Sequence, residues 1–156
     1  MQATDMGRPV EILLIEDSAG DVRLTREALK DAKVLNTLHV ARDGVEAMDF
    51  LHRRKGYADA PRPDLILLDL NMPRMNGREA LKEIKEDPEL ARIPVVVLTT
   101  SAAEKDILES YSLHANCYIT KPVDMEQFMA VLKSIEDFWL TIVMLPPASS
   151  AGTTPG

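Results

Sequence analysis

Aliphatic runs of strand length alternate along this chain with stretches whose apolar residues recur three and four positions apart. The runs predict strands covered on both faces, and the stretches predict amphipathic helices. Glu11 to Ile15 is the first such strand, followed by a helix over Gly20 to Ala32 with Val22, Leu29 and Ala32 on one face. Leu35 to Val40 is a second strand. Gly44 to Leu51 carries Val45, Met48 and Phe50 or Leu51 at helical spacing, and Arg53 to Pro63, rich in charge, Gly and Pro, reads as a surface loop. Leu65 to Leu68 is a third strand that runs into Asp69 before the chain breaks at Pro73. Asn76 to Asp87 predicts a helix with Ala80, Leu81 and Ile84 inward, closed by Pro88. Pro94 to Leu98 is a fourth strand, Ala102 to Leu113 a helix, and Cys117 to Ile119 a short fifth strand. Asp124 with Gln127 resembles a capping box opening a last helix, whose inner face carries Phe128, Val131, Leu132 and Ile135. Strand and helix in strict alternation predict an α/β fold, a doubly wound five-stranded parallel sheet.

In open sheets of this kind ligands gather beyond the carboxyl ends of the strands. The residues there are Glu16-Asp17, Asp69, Thr99 and Lys121, with an uninformative second end. Three carboxylates within about 5 Å of one another would repel by roughly 1 kcal/mol per pair in water and several times that in a partly buried site. Something positive must sit between them. A small cluster of hard oxygen ligands suits Mg²⁺, with Mn²⁺ as an alternative. Acid, acid, hydroxyl and ammonium make a phosphoryl-transfer constellation. Asp69 is the candidate nucleophile, forming an acyl phosphate. Glu16 and Asp17, with Asp69 and the backbone carbonyl of Asn71, would hold the metal. Lys121 supplies a point charge for the phosphoryl group, and Thr99 can donate its hydroxyl to a phosphoryl oxygen. A strand-end cap would explain Asp69 alone, but not four chemically matched ends. Lys121 taken by itself would be a solvated surface lysine, and Tyr118 by itself half-buried packing.

Composition narrows the picture. A chain of 156 residues predicts one compact domain, and 46% apolar residues with only 4% aromatics favour an aliphatic α/β core. The formal charge of −7 argues against a nucleic-acid partner, which needs a basic surface. The lone Cys117 permits neither an internal disulfide nor a zinc cluster and reads as a small buried hydrophobe, so a reducing, cytoplasmic setting is expected. No stretch is long and apolar enough to span a bilayer, and the start is too polar for a signal peptide. His39, His52 and His114 lack ligand spacing, and the scattered Met residues look like gap filling.

From about Val10 to Phe138 the sequence resembles the receiver domain of two-component response regulators. Glu16-Asp17 matches the family's acidic pair, Asp69 its phospho-acceptor, Thr99 its switch hydroxyl and Lys121 its lysine. Tyr118 falls on the family's rotating aromatic, and Lys121-Pro122 resembles the peptide that is cis there. Two departures stand out: Glu16 where many members have Asp, and an Arg53 to Pro63 loop longer than in the shortest receivers. The segments Val97 to Ser101, Ala115 to Pro122 and Phe138 to Leu140 are similar to stand-alone regulators that partner phytochrome-type histidine kinases.

The resemblance implies the flavodoxin-like (βα)5 receiver fold and a phosphoacceptor signalling protein rather than an enzyme. It implies transfer from a kinase phosphohistidine to Asp69, with Tyr118 following Thr99 to repack the face around the fourth helix, fifth strand and last helix. Thr100 and Ser101 are either loop-forming residues or modulators of dephosphorylation. An aspartyl-phosphate hydrolase would need an acid two residues after Asp69, where Asn71 stands. A phosphate sink, a relay shuttle or a phosphorylation-independent interaction module remain the alternatives, the last expected to lack a key residue. Residues 1–9 are expected to be flexible, 139–147 to form an apolar extension and 148–156 to be disordered. Phe138, Trp139, Leu140, Ile142 and Val143 are expected to pack against a second copy in a homodimer, the alternative being a fold-back onto the same subunit.

Overall fold

A computed structural model describes residues 9–31, 35–70, 77–100 and 117–134. Its elements are β1 (Val10–Ile15), α1 (Ala19–Asp31), β2 (Asn36–Ala41), α2 (Gly44–Leu51), β3 (Leu65–Asp69), α3 (Gly77–Glu86), β4 (Val95–Thr99), β5 (Cys117–Thr120) and α4 (Met125–Ser134). The helix expected over 102–113 and the extension beyond 138 lie outside the described residues. All strand pairs are parallel, in the order β2-β1-β3-β4-β5. This is the expected five-stranded sheet of flavodoxin-like topology. Strand order reverses between β1 and β3, and in open sheets ligands gather at the carboxyl ends beside such a reversal.

Strand alternation explains the two core layers. Leu13, Ile15, Ile66, Leu68, Val95 and Val97 pack with Met48, Phe50 and Leu51 of α2 and Ala80, Leu81 and Ile84 of α3. Ile12, Leu14, Leu65, Leu67, Val96, Leu98 and Ile119 pack on the other side with Ala28 and Leu29 of α1 and Phe128 of α4. Both faces are therefore covered, which is why these strands read as unbroken apolar runs.

The helix starts have local causes. The Asp21 amide donates to Ser18 Oγ at 3.2 Å, and the Glu46 amide to the Asp43 carboxylate at 2.8 Å. At the last helix the Gln127 amide donates to Asp124 at 2.8 Å. The Gln127 side-chain amide donates both back to the Asp124 carboxylate and to the Pro122 carbonyl, each at 3.1 Å, so it closes on the cap and grips the turn beyond β5.

Two expectations shift and a third gains detail. On α1 the buried positions are Thr25, Ala28 and Leu29, with Val22 only partly covered and Ala32 outside the described residues. Leu35 is 58% exposed and precedes β2 rather than opening it, because the strand pairs from Asn36 opposite Val10. Arg53 to Pro63 is a surface loop whose Tyr57 and Ala60 pack on the core, with Arg62 donating to the Leu51 carbonyl at 2.8 Å.

Gly77 opens α3 against the end of β3, its amide donating to the Leu70 carbonyl at 3.0 Å. A Cβ there would stand 2.5 Å from the Asp69 carbonyl oxygen and closer still to Leu70 Cα. Helix propensity alone would make Ala better by about 1 kcal/mol, but a clash with backbone costs about 1–3 kcal/mol and cannot be relieved by a side-chain rotation. Gly77→Ala is therefore expected to lower stability by up to about 2 kcal/mol, read as an earlier urea midpoint. A later midpoint would show that helix propensity governs this position.

Candidate functional site

The period-two alternation of a strand decides which side chains meet at the carboxyl rim. Leu65 and Leu67 face the α1/α4 layer, so Asp69 follows them; Ile12 and Leu14 put Glu16 on the same side, and Ile119 does so for Lys121. Register aligns the ends, since Ile15 pairs with Leu68, Asp69 with Leu98 and Thr99 with Thr120. Glu16, Asp69 and Lys121 thus converge although 53 and 52 residues separate them in turn along the chain.

Lys121 Nζ lies 2.7 Å from Glu16 Oε1, 2.9 Å from Asp21 Oδ2 and 3.3 Å from Asp69 Oδ1. Its side chain is 9% exposed, against 1% for Glu16 and 35% for Asp21. An ammonium has three N–H donors and meets three carboxylates here. The Lys121–Pro122 peptide is cis, and the Lys121 amide donates to the Thr99 carbonyl at 2.7 Å.

Glu16, Asp17 and Asp69 each offer a carboxylate oxygen, all within 4.8 Å of one another, with Glu16 and Asp69 buried and Asp17 exposed. Burial, helped by the Asp69 charge, pushes the Glu16 carboxyl up to about 7 against the opposing pull of Lys121. Burial also disfavours the Lys121 ammonium, but Glu16, Asp21 and Asp69 outweigh it and its pKa rises. Glu16 Oε1 lies 2.7 Å from Lys121 Nζ, yet that approach is poorly aligned for a hydrogen bond. A buried oxygen of this kind beside two further carboxylates fits a hard divalent cation. His39 is instead held by Glu11 at 2.7 Å, and His52 lies 3.6 Å from Glu83 and 3.9 Å from Asp87, both remote from this cluster in the fold.

Thr99 and Tyr118 share the rim but not the face. Val95 and Val97 point into the α2/α3 layer, so Thr99 does as well, and Tyr118 packs against that layer. Thr99 is fully buried, while the neighbouring Thr100 is exposed. Asn71, Ser101, Phe138, Trp139, Leu140, Ile142 and Val143 lie outside the described residues. Sequence reading missed Asp21. Its one signal was an acid in the first turn of α1, a common helix-dipole position that gave no hint of a lysine 100 residues away. Among the described residues no helix is long and apolar enough to cross a membrane.

Comparison with known proteins agrees with this architecture. Response regulator Rcp1 of Synechocystis sp. is 51% identical over 140 residues, covering 90% of this chain and 95% of that protein. A solved structure of the Mn²⁺-bound form of response regulator Rcp1 superposes with a TM-score of 0.69 at 51% identity, covering 89% of this chain and all of the other. The bacteriophytochrome response regulator RtBRR gives a TM-score of 0.80 at 39% identity over 90% of this chain and 86% of that one. The phosphorylated cyanobacterial phytochrome response regulator RcpA gives 0.70 at 52% identity over 90% of this chain and all of that one. Residues 12–133 match the model of the response regulator receiver domain, and with the parallel sheet and acidic rim that match makes the chain a member of the response regulator receiver family.

Proposed function

We propose that this receiver accepts a phosphoryl group on Asp69 from a sensor histidine kinase of phytochrome type, in a Mg²⁺-dependent reaction. The observation that carries the reading is the convergence of Glu16, Asp17, Asp69 and Lys121 at one rim. The similarity to regulators described as phytochrome and bacteriophytochrome response regulators, one phosphorylated and one Mn²⁺-bound, supports the kinase class and the metal. Kinase and receiver would meet in the cytoplasm.

In the proposed transfer an Asp69 carboxylate oxygen attacks phosphorus, the new O–P bond forms as the N–P bond of a kinase phosphohistidine breaks, and the electron pair returns to the imidazole. Glu16, Asp17 and Asp69, with the Asn71 carbonyl, would hold Mg²⁺, which when bound would supply positive charge for the transferring oxygens. The protein's own contribution is positioning. Lys121 already stands within 3.3 Å of Asp69, so its ammonium needs only a short swing to reach a phosphoryl oxygen. Thr99 donates its hydroxyl to that group, and its movement frees space for Tyr118 on the α2/α3 side of the sheet. This self-assisted transfer, and the later loss of phosphate with Thr100 and Ser101 as modulators, is the whole of its chemistry. The apolar residues Phe138, Trp139, Leu140, Ile142 and Val143 are the proposed contact between two copies.

Asp69→Asn is expected to abolish uptake from acetyl phosphate, leaving intact-protein mass unchanged where the parent chain gains one phosphoryl group. Uptake persisting in that variant refutes the acceptor assignment.

The Glu16 carboxyl, raised to about 7 from 4.5, holds its proton in the folded chain over a range where the unfolded chain has lost it. Metal must displace that proton. Affinity for Mg²⁺ is therefore expected to weaken about fivefold from pH 7 to pH 6, with proton release seen in calorimetry across buffers. A flat profile would remove Glu16 from the ligand set.

A chain ending at Asp137 is expected to lose the dimer in light scattering. An undiminished dimer would defeat the proposed contact.

A further inference from the structure

Among the described residues, Asp21 is a partner of Lys121 outside the acidic cluster that fits a metal. Asp21 belongs to the first turn of α1, where Ser18 fixes its backbone, and its Oδ2 accepts from Lys121 Nζ at 2.9 Å, closer than Asp69 at 3.3 Å. Ser18 in turn donates its amide to Glu16 Oε2 at 3.4 Å, so the helix start and the rim form one unit. A metal on Glu16 and Asp69 would change two of the lysine's three anionic contacts and leave the third in place.

We infer that Asp21 is a positioning residue that holds the Lys121 ammonium back from Asp69 and thereby limits how firmly a phosphoryl group is retained there. This rests on the phosphoacceptor reading above. Two effects of the carboxylate act in the same direction. It competes for the N–H donors that a phosphoryl group needs, and its charge stands on the solvent side of a lysine that must balance an incoming dianion. Orientation acts the other way, since a tethered lysine is better aimed. The Asn variant separates the two: its amide oxygen still accepts from Lys121, but the charge is gone.

The experiment compares the parent chain with Asp21→Asn, Asp21→Ala, Asp21→Glu and Asp69→Asn, each first checked for an intact thermal transition. Beryllofluoride, a phosphoryl mimic, is titrated at saturating Mg²⁺, and the decay of the acetyl-phosphate-labelled form is followed by intact mass. Asp21→Asn and Asp21→Ala are expected to bind beryllofluoride about two- to fivefold more tightly and to lose phosphate correspondingly more slowly, the size set by a partly exposed ion pair. Asp21→Glu is expected to stay near the parent value, and the gap between Asn variant and parent to narrow at high salt. An Asn variant that binds equally or more weakly overturns the inference, as does a gap that salt leaves untouched. Failure of the folded parent chain to take up either probe would overturn the phosphoacceptor reading itself and this inference with it.

Discussion

A lysine ammonium held among three carboxylates is what allows the rim of this sheet to exist. Glu16 and Asp69 are buried carboxyl groups on adjacent strands, and burying one such charge without a partner costs several kcal/mol. The lysine that answers them is not on a neighbouring strand. β5 is separated from β3 by β4, two strand spacings or about 9.6 Å, and only a long side chain spans that gap. Arg would reach as far, but its planar fork is suited to fixed bidentate contacts, whereas an ammonium can share three donors among three oxygens and then redistribute them.

The strand between them explains how chemistry on one side of the sheet can be felt on the other. Asp69 and Lys121 face the α1/α4 layer, whereas Thr99 at the end of β4 and Tyr118 on β5 belong to the α2/α3 layer. Thr99 and Lys121 are nevertheless joined by a 2.7 Å backbone bond. In the proposed cycle a phosphoryl group on Asp69 draws Lys121 from one face and the Thr99 hydroxyl from the other, so the rim is the natural crossing point. A close-packed interior responds to such a pull by changing side-chain packing, because β3 and β4 are tied on both edges and β5 is tied to β4.

What was legible in the sequence is what depends on alternation along a strand. The third strand drives four apolar residues into Asp69, so its position at a rim followed from one-dimensional pattern alone. Five strands alternating with helices then sufficed for the topology. What depends on how a helix docks was not legible. Asp21 meets Lys121 only because α1 lies beside α4 and turns its first residues toward the end of β5. The same rotation buries Thr25 rather than Val22, and no apolar count would choose a threonine. Gly77 was equally silent, since its requirement comes from the backbone of Leu70 and not from any neighbour in sequence.

The rim is also where the fold gives up stability. Raising Glu16 from 4.5 to about 7 corresponds to a cost on the order of 3 kcal/mol for keeping it charged, a sizeable part of what a domain of this size retains. The sign follows from proton binding: between those two values the folded chain holds a proton that the unfolded chain has released, so this group's contribution weakens as pH rises through about 7. Lys121 offsets part of the penalty, yet it serves three acids at once. A divalent cation on Glu16, Asp17 and Asp69 would relieve the remainder and leave the Lys121–Asp21 pair in place, because Asp21 stands outside the metal-fitting group. In the proposed cycle, cation binding and phosphoryl acceptance would therefore be coupled through a single shortage of positive charge, which no rearrangement of the apolar core can supply.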